Sequence, residues 1–307
     1  MSPSRKDTMN HPKVTVLMSV FNGSAHLRPS VESILNQTLS DFEFLIIDDG
    51  SSEPVSQIIL DYQDDRIRLV RQENCGLTRS LNRGLNLARS PFIARMDADD
   101  ISLPERLEIE FEVFTKNQEL DFVGTFFDVI DECENLVQKK ELIRDPVYRL
   151  WRLMFHNNYG HGTMLFRKSA VINVGMYDVS LRFAQDYDLW SRISKKNNNT
   201  IIPEYLYRYR MNAKGSQSSI KNYEDQLNAA IWISDRNLKH CNPDLDERDL
   251  IDLRSLYWEF QLPKVSHRAP ELALKTQEKF FDKYDVDLYD RPLLRNRVLE
   301  DISQAFK

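Results

Sequence analysis

The stretch VTVLMSVFNGSAHLRPSVESILNQTLSDFEFLIIDDGSS, from Val14 to Ser52, decides the reading of the fold. It opens on a run rich in Val, Leu and Met that is too short for a buried helix and β-branched enough for a buried strand. Leu27, Val31, Ile34 and Leu35 then recur at helical spacing, with Pro29 tolerable only near the start of that helix. Phe42 to Ile47 is a second apolar run, and it stops in Asp48, Asp49, Gly50 and Ser51. Strand, helix and strand joined by short links make a βαβ unit with parallel strands.

The alternation continues. EPVSQIILDYQ reads as a helix, and Arg66 to Val70 as a third strand. GLTRSLNRGLNLARS sets Leu77, Leu81, Leu85 and Ala88 on one helical face, and PFIARM is a fourth strand. This predicts an α/β fold, Rossmann-like, with a mostly parallel sheet flanked by helices. Such sheets bind ligands beyond the carboxyl ends of their strands. Three polar clusters fall at such ends: Ser19 to Asn22, Asp48 to Ser51, and Asp97 to Asp100.

After Pro104 the pattern loosens. LPERLEIEFEVFTKN reads as a helix, DFVGTFFDVID with NLVQKKEL as strands or a hairpin, and PVYRLWRLMF as a short helix. GTMLFRK is strand-like, AQDYDLWSRISKK helical, and TIIPEYLYRYRM extended. The main domain is expected over 13–217, as a 13–103 half and a 104–217 half, followed by a helical C-terminal region over 218–307.

The 307 residues carry a net charge of −6, which argues against nucleic acid as the main partner. Cys75, Cys133 and Cys241 are odd in number and scattered, which fits a reducing compartment and no structural zinc. The opening MSPSRKDTMNHPK has no apolar core of a signal peptide, and no run reaches the length of a membrane span. The expected location is cytoplasmic, with peripheral contact at the inner face of a membrane left open.

Asp97 and Asp99, one residue apart at a strand end, can approach one cation from the same turn, and oxygen ligands of this kind suit Mg²⁺ or Mn²⁺. The competing reading is a solvated turn with a helix N-cap, which Asp100 fits best.

With these residues in view, the segments from Val14 to Ser52 and from Asn74 to Asp100 resemble the nucleotide-binding half of family 2 glycosyltransferases, and the resemblance extends with gaps over about residues 13 to 212. It implies the GT-A fold, a nucleotide-sugar donor with UDP preferred, a divalent ion (Mn²⁺ or Mg²⁺), and inversion at the anomeric carbon. By the same resemblance Ser19, Phe21 and Asn22 meet base and ribose, although the family often has Pro and Tyr where Ser19 and Phe21 stand. Asp49 pairs with uracil, Arg79 faces the nucleotide, Asp97 meets the ribose, and Asp99 with Asp97 holds the metal. FAQDYDLWSRIS resembles the family's acidic-pair motif with Gln185 in place of Glu, which makes Asp186 the general base. His161 and Arg210 are candidates for the diphosphate or the acceptor, and Trp190 for the acceptor floor. The implied acceptor is a saccharide or lipid-linked hydroxyl in bacterial surface polysaccharide synthesis. The C-terminal helices leave a homodimer open.

Rival classes fit less well. A nucleotidyltransferase needs a Gly-rich loop with Arg and Lys after the first strand, a dehalogenase-type phosphatase carries its DxD after the first strand, and no Walker loop is present. A non-catalytic nucleotide- or carbohydrate-binding module remains the alternative, with Gln185 its best support.

Overall fold

The computed structural model describes residues 11–52, 54–196, 198–211, 222–258 and 265–306. The first half follows the predicted alternation. β1 (Val14–Val20), β2 (Phe42–Asp48), β3 (Ile67–Arg71) and β4 (Phe92–Asp97) pair in parallel in the order β3-β2-β1-β4. α1 (Ser24–Leu35), α2 (Val55–Leu60) and α3 (Leu77–Leu87) connect them. β1 and β2 are buried on both faces, which is why they read as continuous apolar runs. Val14, Val16 and Met18 pack with Leu27 and Val31 of α1, while Leu17 packs with Leu81 and Leu85 of α3. Gly84 permits the second contact, since a Cβ there would meet the Leu17 side chain at 2.2 Å. Pro29 lies inside α1, beyond the first turn in which it was expected.

The second half is mixed. β5 (Ile101–Ser102), α4 (Arg106–Lys116), β6 (Phe122–Ile130) and β7 (Leu136–Lys140) precede α5 (Pro146–Leu153). β8 (Leu165–Arg167), α6 (Lys168–Asn173), α7 (Gln185–Ile193) and β9 (Asn199–Arg210) follow. β8 joins β4 and β6 antiparallel, β6 lies parallel to β9, and β9 closes on β5. Among the described residues nine strands form one sheet, with β7 attached as a hairpin arm of β6. The two-residue β5 and the short α6 carry too few residues for a periodic signal, and the sequence reading passes over both.

α8 (Tyr223–Cys241), α9 (Glu247–Ser255), α10 (Ala269–Lys283) and α11 (Asp290–Ala305) make the C-terminal region helical, as expected. They do not stand apart. Trp151 and Phe155, in and just after α5, are buried with Leu238, Leu253, Phe280 and Val298 in a third core. The expected boundary at 217/218, the loop after Met211, part of YWEFQLPK and most of the N-terminal tail lie outside the described residues. Among the described residues no helix is long and apolar enough to cross a membrane.

Candidate active site

Register brings the polar strand ends together. Ser19 at the end of β1 sits opposite Ile47 of β2 and Asp97 of β4. A cleft of about 1840 Å³ opens there, lined by Ser19, Phe21, Asn22, Asp49, Asp97 and Asp99 at one end. Phe21 is 55% exposed, an apolar ring held in solvent at the cleft mouth. Asn22 takes a left-handed conformation (φ 56°), its side-chain oxygen accepts from Ser52 N at 3.0 Å, and its N–H donates to the Ser51 hydroxyl at 2.9 Å. The end of β1 is thereby tied to the end of β2.

Asp49 lines the cleft but is heavily engaged. Its carboxylate accepts from the side chain of Gln72 at 2.6 Å, from the backbone of Cys75 and Gly76 at 3.0 and 2.8 Å, and from Asn74 at 3.3 Å. Burial alone would raise its pKa; the bonds from Gln72, Cys75 and Gly76 outweigh burial and hold it below the ordinary carboxylate value. With these four donors and the Cys75 thiol at 3.4 Å on about four lone-pair sites, Asp49 shapes the 72–76 loop and has little capacity left for a base. Asp48, its neighbour, accepts from Ser51 N and the Ser56 hydroxyl, both at 2.9 Å.

The three aspartates at and just after the end of β4 have different surroundings. Asp100 is buried and accepts from the Tyr207 hydroxyl and Arg210 N, both at 2.7 Å. It is not the helix cap of the competing reading: α4 starts at Arg106, and its N-cap Glu105 makes no side-chain cap bond. Burial first, then the charges of Asp97 and Asp99, push the Asp100 pKa well up. Tyr207 also accepts from Asp97 N at 3.3 Å, in a space that Gly162 keeps clear, since a Cβ on Gly162 would lie 2.2 Å from the Tyr207 oxygen. Asp97 takes a 2.5 Å bond from the buried Arg95. Asp99 faces the cleft, and burial together with the charge of Asp97 raises its pKa to about 6.

The donor chemistry fits a hard divalent ion. Two carboxylates at one turn repel each other, and a cation relieves that repulsion. Among the described residues no three His, Cys, Asp or Glu side chains gather into a complete protein cage, so such an ion would keep positions for water and substrate oxygens.

Across the cleft, Ala184 in a left-handed turn starts α7 and sets Asp186 in its first turn. Asn157 donates to the Asp186 carboxylate at 2.8 Å. Burial raises the Asp186 pKa, backbone hydrogen bonds oppose that, and the charge of Asp97 adds to the rise. Gln185 also lines the cleft, and its carbonyl oxygen is buried without a partner. Asp188 points away, into ion pairs with Arg192 at 2.6 Å and with Arg236. His161 bonds the Tyr177 hydroxyl at 2.8 Å, and burial followed by the Arg95 charge lowers its pKa well below the ordinary value, so the imidazole is neutral.

Three sequence-based candidates sit elsewhere. Trp190 is fully buried among Phe122, Tyr159, Phe166 and His161 and does not line the cleft, so it is core and no acceptor floor. Arg210 is buried and donates to Asp99 O at 2.8 Å, Asp131 O at 3.1 Å and Glu134 at 3.0 Å. It braces the acidic turn and does not reach for phosphate. Arg79 is exposed on α3 and outside the cleft lining.

Residues the sequence reading did not select complete the site. Asn157 stands in a polar HNNYGHG run whose composition was its only signal. His26 of α1 bonds Glu132, just after β6, at 2.7 Å across the cleft mouth. Arg152, His156, Tyr223 and Trp258 form the other end of the cleft, and nothing local in the sequence connects them.

Comparison with known proteins identifies the family. The profile described as "Glycosyl transferase family 2" matches residues 15–175. The chain is 34% identical over 242 residues to an uncharacterized glycosyltransferase of Methanocaldococcus jannaschii, covering 76% of this chain and 83% of that protein. It is 32% identical over 217 residues to the O-antigen biosynthesis glycosyltransferase WbnJ of Escherichia coli, covering 68% and 84%. Among solved structures, S. aureus TarS 1–349 in complex with UDP-GlcNAc superposes with a TM-score of 0.62 over 96% of this chain and 89% of that one, at 16% identity.

Proposed function

Because the chain belongs to glycosyl transferase family 2, we propose that it moves a sugar from a UDP-sugar to a hydroxyl of a saccharide or lipid-linked acceptor, with inversion at the anomeric carbon. The observation that carries this is the meeting of Asp97, Asp99 and Asp186, from the two halves of the chain, on one cleft. A relative in O-antigen biosynthesis and a structural neighbour that binds UDP-GlcNAc favour surface polysaccharide work and a UDP donor.

In this reading Phe21 stacks on the base. Asp49 acts through the 72–76 loop, whose shape it fixes. Asp97 and Asp99 would hold Mn²⁺ or Mg²⁺, whose chemistry there is to neutralise charge on the diphosphate. Arg95 holds Asp97 in place, and Arg210 with Asp100 holds the backbone of the turn. Asp186 takes the proton from the acceptor hydroxyl as that oxygen attacks the anomeric carbon and the nucleotide leaves from the opposite face. A pKa raised by burial makes Asp186 a stronger base than a solvated aspartate, and Asn157 fixes where its carboxylate stands.

The test is calorimetric titration of the purified chain with UDP, GDP, dTDP and CMP, each with Mn²⁺ and with EDTA. UDP binding that requires Mn²⁺ is expected. A folded chain that binds no nucleotide would overturn the reading in favour of a non-catalytic module.

A further inference from the structure

We propose that the end of the cleft built by Arg152, His156, Tyr223 and Trp258 is a saccharide-binding subsite, which holds a sugar unit of the acceptor while its hydroxyl meets Asp186. The proposal rests on the transferase reading and adds where, and through which chemistry, the acceptor is held.

The first argument is room. Small-molecule pockets commonly measure about 300–1,000 Å³. This cleft is about 1840 Å³, and besides the strand ends it is lined by residues from α5 and its following turn, α8 and the segment after α9. The second argument is the chemistry of the other end. Trp258 lines it with its indole N–H committed to Phe155 O at 2.8 Å, so the ring is fixed in place before any ligand arrives. The Tyr257 ring, next in sequence, has its centroid 4.0 Å from that of Phe155, and Arg152 lies 5.0 Å from the Tyr257 ring. Tyr223, at the start of α8, is 53% exposed on the same lining. Fixed aromatic rings offer apolar faces to the C–H faces of a pyranose at small entropic cost.

The third argument is two unmet polar groups. Arg152 Nε and His156 Nδ1 are buried without a hydrogen-bond partner. The two residues are four apart, and His156 N donates to Arg152 O at 3.2 Å. Buried groups left unpaired cost free energy. Burial first, then the Arg152 charge, lowers the His156 pKa to about 3, so this imidazole is neutral. A guanidinium donor beside a neutral imidazole matches sugar hydroxyls, which both donate and accept. Arg152 Nη1 is already taken by the Tyr148 hydroxyl at 2.8 Å and by Asp301 at 3.4 Å, which leaves Nε as its unmet buried donor. The fourth argument is place. His156 precedes Asn157, whose side chain holds Asp186, so a sugar on this end lies beside the proposed base.

The test uses the full chain loaded with UDP and Mn²⁺, probed by saturation-transfer NMR with chitotriose, cellotriose and maltotriose. Wild type is expected to bind at least one probe. Trp258→Ala should weaken that binding about five- to tenfold, Tyr223→Ala about two- to threefold, and Trp258→Phe should keep most of it. UDP affinity should stay unchanged in all three, which also shows that they fold; Tyr223 is exposed enough for its loss to leave packing intact. UDP-loaded wild type that binds none of the probes overturns the subsite and leaves the donor reading standing. Probe binding that survives both alanine variants unchanged does the same. Failure to bind UDP overturns the transferase reading, and the acceptor subsite with it.

Discussion

The two ends of the cleft are built in different ways. At the strand end, β1, β2 and β4 each deliver a short polar cluster, and parallel register sets the clusters side by side. Every residue there lies within a few positions of a strand terminus. At the other end, one wall gathers residues from α5 and its following turn, the start of α8, and the segment after α9. Those pieces meet because Trp151 and Phe155 are buried against the C-terminal helices. The strand end is local chemistry placed by topology, whereas the far end is tertiary packing that happens to enclose space. Asp186 and Asn157 stand between them.

The sharpest way to break this division is at that junction. Asp186→Asn keeps the shape of the side chain and removes its capacity to take a proton. Transfer should fall by about three orders of magnitude while Mn²⁺-dependent UDP affinity stays unchanged, as read by a nucleotide-release assay beside calorimetry. A variant with full transfer rate would remove Asp186 from the base role.

Next in size is Asp99→Asn at the strand end. Mn²⁺-dependent UDP affinity should drop roughly a hundredfold. Stability should move the other way. The folded pKa of Asp99 is raised to about 6, above the unfolded value near 3.8, so its contribution is fullest below the unfolded value and is lost as pH rises through about 6. At pH 8 the variant should therefore melt no lower than wild type, and the two melting curves should differ in slope between about pH 4 and 6. A variant that melts well below wild type at pH 8 would show Asp99 to be a structural residue.

Asp100, the adjacent residue, should behave in the opposite sense. Asp100→Ala leaves the Tyr207 hydroxyl and Arg210 N without their acceptor inside the fold, and should cost about 2–4 kcal/mol in urea unfolding. Equal stability in Asp99→Asn and Asp100→Ala would erase the distinction between cleft and brace within this one turn.

That turn shows how far sequence reasoning carries. The alternation of apolar runs was enough for β1 to β4 and their helices, because βα units are encoded by local period and local stops. The resemblance singled out Asp97, Asp99 and Asp186, and the fold brings all three onto one cleft. Sequence reasoning set Asp100 apart from Asp99 for the wrong reason, as a helix cap; what separates them in the fold is Tyr207 and Arg210, over a hundred positions later in the chain. For the same reason Arg210 read as a phosphate ligand: an arginine in an extended aromatic segment looks alike from either face, and only the sheet register shows it bracing Asp99 O. Trp190 was one helical turn from Asp186, and helical period alone does not say which side of α7 is core. The far wall was illegible because it has no motif, only a packing arrangement.

The smallest expected effect tests the strand end at its margin. Arg79 was placed at the nucleotide by resemblance, from its position in the helix after the Asn74–Gly76 loop. The structure puts it on the exposed face of α3, outside the cleft lining. The loop itself is held by Asp49, through Cys75 N and Gly76 N, with no contribution from Arg79 to those bonds. An exposed arginine that touches neither core nor ligand contributes within about 0.5 kcal/mol to stability. Arg79→Ala should therefore leave the melting temperature unchanged and alter UDP affinity by no more than about twofold. A tenfold loss in the same titration would mean that the 72–76 loop rearranges onto bound nucleotide and carries Arg79 with it. In that case the strand end, too, would owe part of its chemistry to movement and not to register alone.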